Sequence, residues 1–159
     1  MSTQTDRNPW VIRCDYSDDR LWEIVKIQIA TPRTDPLSGM EFTANIRCEE
    51  DLSFRNLSYL EIVRRLPDDY PGFVLFLVDA NCIQEQEHPL LVVGFSPKGQ
   101  SSDDFSRTPK ETPSEDITTF RAIPSAISSI ENNLSIANMD FDDFSNSVDR
   151  DGVFRGFKL

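Results

Sequence analysis

Phe73-Val74-Leu75-Phe76-Leu77-Val78 is six apolar residues in a row, with no polar interruption. Strand side chains alternate between two faces, so a strand without alternation needs cover on both. That pattern is typical of a central parallel strand, and it sets the frame for the rest of the chain.

Other strand signals flank it. Trp10 to Asp15 reads as a first strand, Phe42 to Cys48 as a second, Leu90 to Phe95 as a fourth and Thr118 to Ile123 as a fifth. Helix signals fall between them. Ser17-Asp18-Asp19 supplies a capping acceptor and first-turn acids. Leu21, Trp22, Val25 and Ile29 then share one helical face. Ile24 and Ile27 widen that face, and Thr31-Pro32 ends the helix. Ser58-Tyr59-Leu60-Glu61 has the form of a capping box, opening a helix that stops at Pro67. The order predicts one α/β layered domain over residues 1–159: a central, mostly parallel sheet of about five strands with helices on its faces. The first and third strands are expected to be neighbours, and the fourth and fifth to form a hairpin. Residues 96–117 are rich in Ser, Pro and charge and read as a disordered loop insertion in that hairpin.

Composition narrows function. The net charge of −11 repels phosphate backbones and anionic membranes, so neither nucleic acid nor membrane is an expected partner. Basic proteins, cations and neutral small molecules remain as partner classes, with a basic protein the candidate. No apolar run approaches ~18 residues, and Met1 to Trp10 lacks the apolar core of a secretory signal, which points to the cytoplasm. The odd set Cys14, Cys48 and Cys82 is no disulfide framework. Cys14 and Cys48 sit in strand-like runs and read as small buried hydrophobes.

The strongest functional candidate is ENNLSIANMDFDDF, residues 131–144. Leu134, Ala137, Phe141, Phe144 and Val148 recur at helical spacing, as one stripe of about four turns. Alternatively Asp140 caps a new helix, with Met139 and Phe144 closing as a hydrophobic staple. Either way the phenylalanines turn inward and the acids outward. From Glu131 to Asp151 six acids face one base, Arg150, a local charge of −5. Glu131, Asn132, Asn133, Asn138, Asp140, Asp142 and Asp143 are the candidate binding residues. The asparagines have a plainer role available, satisfying a tight turn.

Asp15 and Asp79 are the catalytic candidates. Both follow predicted strands, where open α/β sheets place ligands. Close carboxylates divide acid and base roles or hold Mg²⁺, although each also suits a turn cap. A phospho-receiver would want a paired acid at the first strand and a lysine after the fifth, which here reads Phe120-Arg121-Ala122-Ile123-Pro124. Ser147 to Gly152 loosely follows a calcium loop, but its twelfth position is Lys158, and no metal is expected. His88 is the sole histidine and suits a loop cap, and no cofactor motif is present.

ENNLSIANMDFDDF followed by Asp151-Gly152-Val153-Phe154-Arg155-Gly156-Phe157 resembles the C-terminal signature of domain of unknown function 6924 (DUF6924). Matching pieces are Arg13 to Asp19, Val78-Asp79 and Glu87 to Val93. The Ser/Pro/acid insertion departs from the shorter loop of that family. The resemblance implies the domain without implying an activity or a site. The reading that remains is a small non-enzymatic interaction or regulatory domain with an acidic C-terminal helical face. An enzyme or small-ligand binder at Asp15 and Asp79 is the alternative.

Overall fold

The computed structural model describes residues 8–67, 70–71, 74–95, 117–136 and 138–157. Among these, the elements in chain order are β1 (Trp10–Arg13), α1 (Asp19–Ala30), β2 (Arg33–Thr34), β3 (Glu41–Phe42), β4 (Arg47–Glu49), α2 (Tyr59–Arg65), β5 (Val74–Val78), α3 (Ala80–Gln84), β6 (Leu90–Gly94), β7 (Thr118–Ala122), α4 (Ile127–Ser135), α5 (Phe141–Ser145) and β8 (Val153–Phe154).

From Val74 to Val78 the uninterrupted apolar run is β5, inside a six-stranded sheet of order β4-β1-β5-β6-β7-β8; Phe73 lies outside the described residues. β1 pairs in parallel with both β4 and β5, and β7 pairs in parallel with β8. Only β6 is reversed, forming a hairpin with β7 and pairing antiparallel to β5. The neighbours expected from the sequence are therefore present, and so is the hairpin.

Alternation sorts the sheet into two cores. Val11, Phe76, Val78, Leu90, Val92, Phe120, Ala122 and Phe154 face one side, packed with Trp22, Val25 and Ile29 of α1, Ile127 and Ile130 of α4, and Phe144 of α5. Ile12, Leu75, Leu77, Val93 and Phe95 face the other, against Phe54 and the α2 residues Ile62 and Val63. Both faces of β5 are thus covered, as its lack of alternation requires. Among the described residues no helix is long and apolar enough to cross a membrane.

Four expectations change. The second strand, expected over Phe42 to Cys48, divides into β3, which pairs with β2 in a separate ribbon, and β4 on the sheet edge. The cause lies in α4. Asn132 donates to the Thr43 carbonyl at 2.8 Å, and Glu131 accepts the Asn45 N–H at 2.6 Å. Backbone groups taken by side chains are lost to a strand ladder. Ile27 is 65% exposed, because α1 packs one face on the sheet and turns the other to solvent. Cys48 is exposed on the edge strand β4, whereas Cys14 and Cys82 are buried. The four-turn helix through Phe141 is instead two helices, α4 and α5, with Asp140 capping the second. The Met139 and Asn138 amides both donate to the Asn133 carbonyl, which terminates α4. Residues 96–116 of the expected insertion lie outside the described residues, and Ile117 packs against the second core.

Candidate functional site

Two regions hold the candidate residues. The first is the edge where the parallel strands end. Arg13 of β1 pairs with Val78 of β5, and the amides of Cys14 and Asp15 both donate to the Val78 carbonyl, at 2.9 and 3.2 Å. Asp15 and Asp79 therefore leave adjacent strands at the same level. β1 is also where the chain, having built β4 on one side, crosses to build β5 on the other. Such switch points are the usual ligand crevices of open α/β sheets.

The carboxylates there are already engaged. Asp79 caps α3 by accepting the Cys82 N–H at 3.0 Å. Its two oxygens also receive both terminal nitrogens of Arg121, at 2.8 and 2.9 Å. This bidentate pairing is the strongest geometry an arginine and a carboxylate adopt. Asp15 accepts the N–H of Ser17 at 2.8 Å, and its hydroxyl as well. The Asn56 N–H donates to the Cys14 carbonyl at 2.8 Å, so the loop after β4 closes over the end of β1. The two acids still act on a common neighbour. Burial, then Asp79, then Asp15 push the Cys14 thiol up to about 12, so it stays protonated. Burial and Asp79 likewise raise the Cys82 thiol.

Arg13 is the residue the sequence reading missed. It lies buried on the Val11 side of β1, bonded to Asp19 and Glu50 and to the Asp15 carbonyl. Its guanidinium sits 4.3 Å from the centre of the Tyr16 ring. Trp22 donates to Glu50 at 2.7 Å, tying α1 to the same group. The signal was available: period-two alternation from Val11 points Arg13 inward. Arg121 was noted only as a departure from a lysine. The loop role expected of His88 has a direct counterpart, its Nδ1 lying 3.0 Å from the Cys82 carbonyl at a positive φ of 52°.

The second region is the C-terminal helical pair. Glu131 is buried, yet its carboxylate is fully occupied by the Asn45 N–H, the Asn132 amide and the Ser135 hydroxyl. Asn132 also reaches Thr43 and Ser128. Asn133 bonds the Ser129 carbonyl, and Asn138 bonds Asn133. Glu131 and the three asparagines thus hold α4, its turn and the β3–β4 segment together.

The α5 acids are placed differently. Asp140, Asp142 and Asp143 are all exposed, and none has a cationic partner among the described residues. Asp143 accepts the Asp140 N–H at 2.8 Å, closing a capping box that fixes the first turn. Beneath them Phe144 is fully buried, its ring 5.3 Å from that of Phe154 and nearly perpendicular. Phe141 packs 5.1 Å from Phe120 and lies over Gly94. A Cβ on Gly94 would come within 2.6 Å of the Phe141 ring.

Beside α5, Arg155 binds Glu87, Asp149 and Asp151. These bonds hold the Glu87 and Asp151 carboxyls below their usual range. Three acids on one arginine leave that cluster negative. Among the described residues no group of His, Cys, Asp and Glu is arranged to hold a metal ion.

A family model described as Domain of unknown function (DUF6924) matches residues 8–157. No curated protein and no solved structure matches the chain.

Proposed function

The chain belongs to the DUF6924 family, and from its own geometry we propose a small, acidic, non-enzymatic interaction domain whose α5 face docks a basic partner. The observation that carries this reading is the contrast in pairing. Asp140, Asp142 and Asp143 stand in solvent without cationic partners among the described residues, on a helix anchored by a fully buried phenylalanine. A rigid, uncompensated acidic face steers a basic partner and speeds its association. Asp149, Asp151 and Glu87 extend the negative field beyond what Arg155 offsets. The three free cysteines suit a reducing compartment, which favours the cytosol.

The test is a pull-down with the wild-type chain and with Asp140→Asn, Asp142→Asn and Asp143→Asn combined. Asparagine keeps an acceptor for the cap, so α5 remains. The wild type retains its partner at low salt and releases it at high salt. The triple variant fails to retain it at either. Equal capture by both chains would refute the reading.

The sheet order favours one second reading, a small ligand bound where β1 and β5 end. The bonds from Arg121 to Asp79 and from Ser17 to Asp15 weigh against a proton-transfer role for these acids. Asp15→Asn and Asp79→Asn distinguish the two readings, since neither alters the α5 face.

A further inference from the structure

β4 stands first in the sheet order, and among the described strands it pairs with β1 alone. Its outer edge is open. The Arg47 N–H donates toward β1, to the Pro9 carbonyl at 2.9 Å. Successive strand residues turn their backbone groups to opposite sides, so the N–H and carbonyl of Cys48 point away from β1. Cys48 is exposed, and neither group has a partner among the described residues.

An open edge is a template for another strand, and proteins commonly blunt it with charge. Here the charges admit one particular strand. β4 reads Arg47-Cys48-Glu49, a base and an acid on either side of a neutral centre. Arg47 and Glu49 lie level with Trp10 and Ile12 of β1, on one face of the sheet, where they pair with each other. When two copies of β4 lie antiparallel with Cys48 opposite Cys48, each Arg47 stands across from the other copy's Glu49. Opposite charges directly across a sheet stabilise the pairing, and like charges oppose it. A register two residues away sets Arg47 on Arg47 or Glu49 on Glu49. The match therefore fixes the register as well as the partner.

The overlying helix agrees. Lys26 of α1 bonds Glu23 and lies 4.0 Å from Glu50, the residue after β4, so this flank of α1 overhangs the open edge. Ile27 follows Glu23 at i, i+4 on that flank and is 65% exposed. A twofold axis normal to the sheet keeps both α1 helices on one face and brings these flanks toward each other across the seam.

We propose that the chain forms a twofold dimer through antiparallel pairing of β4 with β4 of a second copy, which joins the two sheets into one. A three-residue strand makes a small interface, so the dimer is reversible. α5 packs on β7 and β8, at the other end of the sheet order, and each end of the dimer carries one α5 face. No residue of the seam belongs to α5, so the failure of this proposal and that of the docking face are separable.

Sedimentation equilibrium of the full, reduced chain tests it, at about 0.15 M salt, where repulsion between two copies of charge −11 is largely screened. The wild type passes from monomer to dimer as concentration rises. Arg47→Glu and Glu49→Arg each set like charges across the seam and weaken the dimer about tenfold or more. Mixed together, these two variants recover a dimer of wild-type strength, because every glutamate then meets an arginine. Cys48→Pro removes the outward N–H, leaves the bonds to β1 in place and also weakens the dimer. Should Cys48→Pro lower the melting midpoint, the charge variants carry the test. A wild type still monomeric at about 1 mM, a dimer indifferent to both single reversals, or no recovery on mixing would each overturn the proposal.

Discussion

The two acidic regions of this domain have similar side chains and opposite surroundings. At the strand ends Asp79 is answered by Arg121, Glu50 and Asp19 by the buried Arg13, and Asp15 by the N–H and hydroxyl of Ser17. On α5 the carboxylates of Asp140, Asp142 and Asp143 are exposed and, among the described residues, meet no cation, over a floor of edge-on and tilted phenylalanine rings. Charges paired to an arginine fix loops to the sheet and leave less free energy for a partner. Unpaired charges on a rigid helix do the reverse. A count of acids along the chain does not distinguish these cases, whereas the placement of Arg13 and Arg121 does.

The largest expected effect falls on the floor of the α5 face. Phe144→Ala removes a fully buried ring from the Phe154 and Phe157 stack and costs about 3–5 kcal/mol in urea denaturation. A cost below about 1 kcal/mol would show that α5 is not seated as described. Arg13→Ala removes the buried cation that joins β1, α1 and the Glu50 loop, and about 2–3 kcal/mol is expected. That is less than for a fully enclosed pair, because Asp19 and Glu50 already meet water. Gly94→Ala drives a methyl into the Phe141 ring and costs about 1–3 kcal/mol. Gly94→Ala with Phe141→Leu should recover part of that loss, since the clash is with the ring.

Much of this was legible from residues alone, and the failures have identifiable causes. β5 was readable because an unbroken apolar run admits few environments. α1 was readable from its cap and stripe and α2 from its cap, Asp18 and Ser58 accepting as expected. The interruption at Thr43 to Asn45 was not, because it arises from Glu131 and Asn132, 86 and 89 residues further along the chain. β8 is two residues long and carries no periodicity of its own. Its place depends on β7 offering an edge. At the sites, the outward acids of α5 followed from helical spacing, while Arg13 and Arg121 were overlooked because a lone basic residue in a strand has no motif.

A smaller effect concerns pH. The Cys14 thiol titrates near 9 when exposed and is raised to about 12 by burial and by Asp79 and Asp15. Its folded form holds the proton more tightly, so its stabilising contribution is full below about pH 9. That contribution is lost as pH rises toward about 12. Chemical denaturation across this window should show stability falling, and Cys14→Ala should flatten the fall. An identical slope in wild type and variant would contradict the strand-end field described above. Tyr70 and Cys82, also raised by burial, keep part of the slope in either chain.

The central claim is that the α5 carboxylates, and not those at the strand ends, are available to a partner. The most direct measurement is the salt dependence of affinity for the captured basic partner, taken as the slope of log Kd against log salt. It would compare wild type, the combined Asp140→Asn, Asp142→Asn and Asp143→Asn variant, and the Asp15→Asn, Asp79→Asn pair. The account predicts a steep slope in the wild type and the strand-end pair and a shallow one in the α5 triple. A shallow slope in the strand-end pair, with the triple unchanged, would move the site to the ends of β1 and β5.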